Sequence, residues 1–316
     1  MSDRSIETRL VYGFLDAGKT TYIRNCIRND FFHKYGSTLI LCFEQGEETY
    51  DPDAMREKRT SVAYYDENED VGAFCISCIE KYRPDRIYVE MNAMLPELRE
   101  QLPACMHVSF ASAWIDWKTF PLYFVNFRPM IGRMAAASQQ VTFRGCPSKE
   151  LLAPYSQAFR LMNPKASYLR QDPMGYHEKA FDLFLPFSLE EEEITITKDR
   201  YLPFWLDALD HPEHYEGKTL CFPDPLELRR SDPNGPWSAG RVVMSCCMAD
   251  LQFMGFELRM DPASPEGGWI TFKAQAAIGQ DTYGQKKLTL RPESVRPAPP
   301  PKYAILDGSR PSQNID

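Results

Sequence analysis

The sequence predicts an α/β phosphate-loop domain, a mostly parallel sheet with helices on both faces, followed by a small all-β barrel- or sandwich-like domain. Three observations carry this expectation. A complete GxxxxGKT loop, Gly13-Phe-Leu-Asp16-Ala17-Gly18-Lys19-Thr20, follows the apolar run Leu10-Val11-Tyr12 and precedes Tyr22, Ile23, Cys26 and Ile27 at helical spacing. Short apolar runs then alternate with helical patterns as far as about Leu169, the order of a parallel sheet covered by helices. After Gln171-Asp-Pro-Met-Gly the chain becomes Pro-rich and acidic, and from Ile194 it turns to short strand patterns separated by turn dipeptides.

In chain order, strands are expected at Leu10–Tyr12, Thr38–Phe43, Thr60–Tyr65, Arg86–Glu90, His107–Phe110, part of Ala113–Trp117, and Gln140–Phe143. They are rich in Val, Ile, Leu and Tyr with little alternation, as strands covered on both faces are. A helix is expected to begin at Thr20, and others over Ile76–Tyr82, Phe120–Ala137 and Lys149–Met162. This first domain is placed at residues 1–175 and a linker at 176–193, ending in the run Leu189-Glu-Glu-Glu-Glu193. The β domain is placed at 194–304, with strands at Ile194–Thr197, Thr219–Phe222, Arg241–Met244, Trp269–Ala274 and Lys287–Leu290 and a helix over Leu202–Leu209. Arg296-Pro-Ala-Pro-Pro-Pro reads as a polyproline segment, and 305–316 as a disordered tail.

Composition narrows the function classes. With 316 residues, 43% hydrophobic and 25% charged, the chain has the profile of a soluble globular protein. A net charge of -8 without a basic stripe argues against nucleic acid as a partner. No stretch approaches the roughly 20 apolar residues of a membrane span, so a cytoplasmic location is expected. Nine scattered cysteines, an odd number, fit reduced thiols rather than a disulfide framework.

The loop dictates its own chemistry. A strand that ends in the loop carrying Gly13, Asp16, Ala17 and Gly18, and a helix that begins at Thr20, place successive backbone N–H groups and a helix N-terminus around one point, where phosphate oxygens are held. Lys19 supplies a charge to the β/γ-phosphates, and the hydroxyl of Thr20, next to Thr21, is placed to ligate Mg²⁺. Two acidic motifs lie downstream at strand ends: Phe43-Glu44-Gln-Gly-Glu47, and Val89-Glu90-Met-Asn92-Ala93. Carboxylates there hold Mg²⁺ or orient an attacking water.

These residues resemble the CobW-type GTPases, relatives of the nickel-insertion GTPases of hydrogenase and urease. The likeness rests on Tyr12–Thr21, on Glu44–Asp51 (EQGEETYD) as the family's NEFGExxxD segment, on Val89–Ala93 as its ExxG, on Ile115-Asp116-Trp117 as its VDA, and on Asn163-Pro-Lys-Ala166 as its NPxA. It covers about residues 8–170. The resemblance implies a slow, Mg²⁺-dependent GTPase switch in which Lys19 and the loop hold the nucleotide, Thr20 with Glu44 or Glu47 holds the metal, and Glu90 positions the water or the metal shell; by analogy it also implies a homodimer. Farther on, Tyr215-Glu-Gly-Lys-Thr, Gly240 to Cys246-Cys247-Met-Ala-Asp250, Trp269-Ile and Pro300-Pro-Lys-Tyr303 resemble the C-terminal domain of bacterial permease-associated proteins. That likeness implies a membrane permease as partner, and a protein at the membrane only through it.

The sequence departs from the pattern at informative places. Where such GTPases carry the guanine-reading Asn-Lys-x-Asp, this chain has Arg144-Gly145-Cys146-Pro147, so GTP and ATP both remain candidates. The glycine of ExxG is Ala93, whose N–H is expected still to reach a γ-phosphate. Three groups invite a metal, Zn²⁺ in particular. Cys75 and Cys78 share a helical face and offer two thiolates or core packing. Cys246 and Cys247 with Asp250 lie in a strand-to-turn context, where alternation points adjacent cysteines to opposite faces unless a turn or bulge intervenes. His211-Pro-Glu213-His214 is an imidazole pair in a charged loop, readable as ligands or as a solvated turn. Two functions are therefore carried forward: a working nucleotide hydrolase assisting a permease or a metal-handling system, and a degenerate subunit that binds nucleotide without hydrolysing it.

Overall fold

A computed structural model describes residues 5–28, 36–44, 46, 48–182, 184–230, 232, 235–260 and 267–309. The chain divides into two compact units, 1–153 with 165–181, and 154–164 with 182–316. The short helical segment around Ser156–Met162, read from the sequence as the end of a helix of the first domain, thus groups with the second unit.

The first unit is an eight-stranded sheet. Its strands are β1 (Ile6–Gly13), β2 (Thr38–Cys42), β3 (Thr60–Tyr64), β4 (Arg86–Asn92), β5 (Met106–Asp116), β6 (Gln140–Arg144), β7 (Ser167–Gln171) and β8 (His177–Lys179). They lie in the order β3-β2-β4-β1-β5-β6-β7-β8, all parallel except β8, which runs antiparallel to β7. All five residues of β2 are buried, as are Leu10, Val11, Ile87 and Val89 of the central pair, which explains why these strands read as continuous apolar runs. The helices of this unit are α1 (Lys19–Arg28), α2 (Pro52–Glu57), α3 (Val71–Tyr82), α4 (Phe120–Asn126) and α5 (Arg128–Ala136). Asp70 caps α3 by accepting from Ala73 N–H at 2.8 Å.

Three expectations are corrected here. The two strands read at 107–117 are one strand of eleven residues. The helix read over Phe120–Ala137 is broken at Phe127, where Pro129 enters the first turn of α5 and cannot continue α4. Over Lys149–Met162 only α6 (Ser156–Met162) is α-helical; two 3₁₀ turns precede it.

The second unit is a closed five-stranded barrel. Its strands are β9 (Glu193–Thr195), β10 (Thr219–Arg230), β11 (Trp237–Met244), β12 (Leu251–Leu258), β13 (Gly268–Gln280), β14 (Lys286–Ala298) and β15 (Ile305–Asp307). The ring runs β10-β11-β12-β14-β13 and back to β10, with β12 and β14 parallel and the other four pairings antiparallel. This is the Greek-key ring of an OB-type barrel rather than a sandwich. Inward residues such as Leu220, Phe222, Leu226, Leu228, Ala239, Phe272, Ala274 and Leu290 form its core with Tyr201, Phe204 and Leu206 of α7 (Lys198–Asp210). Gly240 faces Gly255 across β11 and β12, and a Cβ at Gly240 would stand 2.2 Å from the Met254 carbonyl oxygen, so only glycine allows this approach.

The expectations for the end of the chain also change. Arg296–Ala298 belongs to β14, and Ile305–Asp307 is a strand, paired in parallel with Val242–Met244, where a disordered tail was expected. Residues 310–316 lie outside the described ones. Among the described residues no helix is long and apolar enough to cross a membrane.

Candidate functional site

The parallel register brings three strand ends together. Gly13 at the end of β1 lies beside Asn92 of β4, and Cys42 at the end of β2 lies beside Glu90. The loop after β1 therefore opens between the two acidic segments that follow β2 and β4, at the carboxyl edge of the sheet where α/β folds bind ligands. Asp16 (φ 59°) and Gly18 (φ 94°) take positive φ, and α1 starts at Lys19, aiming its first-turn N–H groups back toward the loop. A Cβ on Gly18 would meet the flexible end of the Arg144 side chain at 2.6 Å, which can move aside, so it is the positive φ that favours glycine there.

Lys19 is almost fully buried. Its ammonium donates to the carbonyl oxygens of Phe14 at 2.7 Å and Gly13 at 3.1 Å, and is ion-paired with the Glu44 carboxylate. The second carboxylate oxygen of Glu44 is buried, with no hydrogen-bond partner among the described residues. Burial pushes the Glu44 carboxyl above its ordinary range, and the neighbouring Lys19 only partly offsets this. Glu44 thus holds the lysine at the expense of its own hydration.

Thr20 Oγ1 donates to Glu90 Oε1 at 2.5 Å, and Tyr50 donates its hydroxyl to Glu90 Oε2 at 2.6 Å. Cys42 Sγ lies 3.9 Å from the same oxygen, and burial followed by the charge of Glu90 drives both the Cys42 thiol and the Tyr50 hydroxyl upward, keeping them protonated as donors. A cleft of 380 Å³ is lined by Asp16, Gly18, Lys19, Thr20, Thr21, Glu44, Gly46, Glu48, Glu90 and Arg144. In it four carboxylates face Lys19 and Arg144, so a bare polyphosphate is electrostatically unwelcome while a cation–polyphosphate complex is not. The donor set fits Mg²⁺: Thr20 Oγ1 and the Glu90 carboxylate are hard oxygens that meet at the head of α1, while Glu44 is engaged by Lys19.

Not every residue expected at the site is in it. Ala17 is buried in the core of the loop, its N–H donating to Phe14 O at 3.2 Å. Asn92 accepts from Met94 N–H at 2.8 Å, and the Ala93 N–H, expected to reach a phosphate, instead donates to Gly13 O at 3.0 Å. Glu47 lies outside the described residues. Two residues were missed as ligand candidates. Arg144, read only as a lost base-reading position, reaches over the loop, with Nη1 3.5 Å from Asp16 O; β6 delivers it one strand beyond β5. Tyr50 gave no signal beyond its place in the EQGEETYD segment.

The thiol candidates separate. Cys75 and Cys78 are buried on α3, and burial raises the Cys75 thiol to about 12, as expected of core thiols. Cys246 and Cys247 fall in the turn between β11 and β12, beyond the reach of strand alternation, and their sulfurs are 3.7 Å apart. Burial, with Cys247 beside it, raises the Cys246 thiol to about 12, and Asp250 is engaged by the Ser245 hydroxyl. Asp250 reaches Cys246, but among the described residues only His211, Glu213 and His214 form a set of three metal-ligand donors that all lie within 4.8 Å of one another.

Residues 176–302 match the family model of the DUF1980 C-terminal domain, a stretch that takes in the barrel strands. No curated protein matches the chain. Solved structures similar to it include the hydrogenase maturation factor HypB from Archaeoglobus fulgidus, at 9% identity and TM-score 0.35, covering 53% of this chain and 81% of that one. HypB from Helicobacter pylori in complex with nickel, at 10% identity and TM-score 0.34, covers 52% and 78%. The signal recognition particle receptor FtsY from Elizabethkingia anophelis, at 10% identity and TM-score 0.31, covers 45% and 51%.

Proposed function

We propose that the first unit binds a Mg²⁺–nucleoside triphosphate and hydrolyses it slowly, as a switch. The observation that carries this reading is the pairing of Lys19 with Glu44 beside the pairing of Thr20 with Glu90, two contacts that meet in one cleft at the head of α1. Lys19 is preset on the loop carbonyls, so a phosphate oxygen has only to replace Glu44. Thr20 Oγ1 and Glu90 would hold the metal, which when bound neutralises charge developing on the phosphoryl oxygens. The first-turn amides of α1 and the Arg144 guanidinium bind and orient the phosphates. Glu90 is oriented by Tyr50 from outside the cleft, which keeps its carboxylate in place when Thr20 turns toward the metal.

The base-reading position favours no nucleobase, so GTP and ATP are both retained as substrates. Resemblance of the barrel to permease-associated domains supports a role in assisting a membrane permease or a metal-handling system, from the cytoplasm and at the membrane through that partner. A second reading, a regulatory subunit that binds nucleotide without hydrolysis, gains from the Ala93 N–H, which is already spent on Gly13 O. Calorimetric titration with Mg-GTP and Mg-ATP, alongside phosphate release, tests both. Binding and release lost in Lys19→Ala support the switch; binding without release supports the regulatory subunit; binding of neither by the unaltered protein refutes both.

A further inference from the structure

The barrel unit carries a polar cluster unrelated to the nucleotide cleft. Helix α7 ends at Asp210, and the chain continues into a 3₁₀ turn over Pro212–Tyr215 with His211 at its head. In a 3₁₀ turn side chains three apart eclipse. His211 and His214 obey this, with their rings stacked at 4.8 Å between centroids and 23° between planes. Glu213 lies between them in sequence, its carboxylate 3.4 Å from His211 Nδ1. Donor atoms of His211, Glu213 and His214 all fall within 4.8 Å of one another.

A second, independent feature gives this cluster direction. Asp207 of α7 is 3% exposed, and its Oδ2 is 2.9 Å from His214 Nδ1 and 2.9 Å from the Tyr215 hydroxyl. The Tyr215 hydroxyl donates to Asp207, which leaves the carboxylate held by one neutral donor besides the imidazole. A buried carboxylate needs donors, and the only role Nδ1 of His214 can play against it is N–H donor. Neutral imidazole protonated at Nδ1 carries its lone pair on Nε2. That is the carboxylate–histidine arrangement by which proteins prepare an imidazole for a metal.

We propose that His211, Glu213 and His214 form a binding site for a divalent cation of the zinc class, with Asp207 as the positioning residue for His214. Two imidazoles and one carboxylate are the borderline donors such ions take, and three protein ligands leave one position open for water or a partner's side chain. A tetrahedral site with bonds of about 2.05 Å has edges of about 3.3 Å. The three side chains must therefore close by roughly 1.5 Å, a movement open to His211 and Glu213, whose side chains are half exposed.

Titration of the untagged full-length protein with Co²⁺, followed by visible absorption and by competition with Zn²⁺, tests the site and separates it from the thiols. The expected result is a d–d spectrum of nitrogen and oxygen ligation without thiolate charge transfer, unchanged in Cys246→Ser/Cys247→Ser. Affinity should fall at least ~10-fold in His211→Ala, whose side chain is exposed and whose removal leaves the fold intact, and ~10–100-fold in Asp207→Asn. If Asp207→Asn unfolds, His211→Ala still decides. Absence of Co²⁺ absorption, a thiolate spectrum, or unaltered affinity in His211→Ala overturns the proposal.

Discussion

Replacing Lys19 with methionine keeps the stem that fills the loop and deletes the charge. The structure then leaves the Glu44 carboxylate, already short of water and with one oxygen unpartnered among the described residues, without its cation. Breaking a buried ion pair by removing one partner costs about 3–5 kcal/mol, and we take ~3 because Glu44 can escape part of the cost by protonation. The first unit has roughly 170 residues, for which 1 kcal/mol shifts Tm by about 2–4 °C, so the loss is ~6–12 °C. That loss depends on pH in a fixed sense. Glu44 is raised in the folded protein even with Lys19 present, and Lys19 is the group that lowers it, so Lys19→Met raises it further. A carboxyl raised on folding contributes stability that is complete below its unfolded value, 4.5, and is lost as pH rises through the folded one. The deficit of Lys19→Met against the unaltered protein should therefore be small near about pH 5 and approach ~3 kcal/mol near pH 8. Scanning calorimetry without nucleotide at both pH values measures it, and Lys19→Met/Glu44→Gln should recover most of the loss. An equal deficit at both pH values, or a double variant no more stable than Lys19→Met, refutes the reasoning.

Glu44→Gln alone should tighten Mg-nucleotide binding in calorimetry, because a phosphate oxygen no longer competes with a carboxylate for Lys19; weaker binding would instead place Glu44 among the metal ligands. Arg144→Ala should weaken nucleotide binding by roughly tenfold, the loss of one charge-assisted contact of ~1.5 kcal/mol, with Tm nearly unchanged. Gly240→Ala should destabilise the barrel by more than ~2 kcal/mol in denaturant titration, since its Cβ meets backbone that cannot rotate away.

The phosphate loop was legible because its constraints are local: Gly18 answers to a positive φ, and Lys19-Thr20 to the start of a helix. The apolar strands were legible for the same reason, each reporting burial on both faces. What the sequence hid depends on register and on reach. Nothing near Glu44 announces that Lys19 holds it, and Arg144 comes to the loop only through the strand order β1-β5-β6. Strand β12 escaped notice because Gln252, Gly255 and Glu257 break its apolar pattern, although Gly255 is required by the approach to Gly240. For Cys246 and Cys247 the sequence left strand alternation and an intervening turn both open, and the end of β11 at Met244 decides for the turn. The histidine pair was visible in sequence, but the buried Asp207 beneath it was not, because the two meet only across a helix end.

The pairing of β15 has a consequence in time. Along one edge, β11 is covered by β10 over Trp237–Gly240 and by β15 over Val242–Met244. About sixty residues separate Val242–Met244 from its β15 partner Ile305–Asp307, which at roughly 5–20 residues per second is ~3–12 s of synthesis. Throughout that interval the nascent barrel offers Val242–Met244 as an open edge to any neighbouring extended chain, such as the same edge on the next ribosome of a polysome. A hazard absent from the finished molecule is thus written into its order of manufacture, and dense translation of this message would be where it is felt.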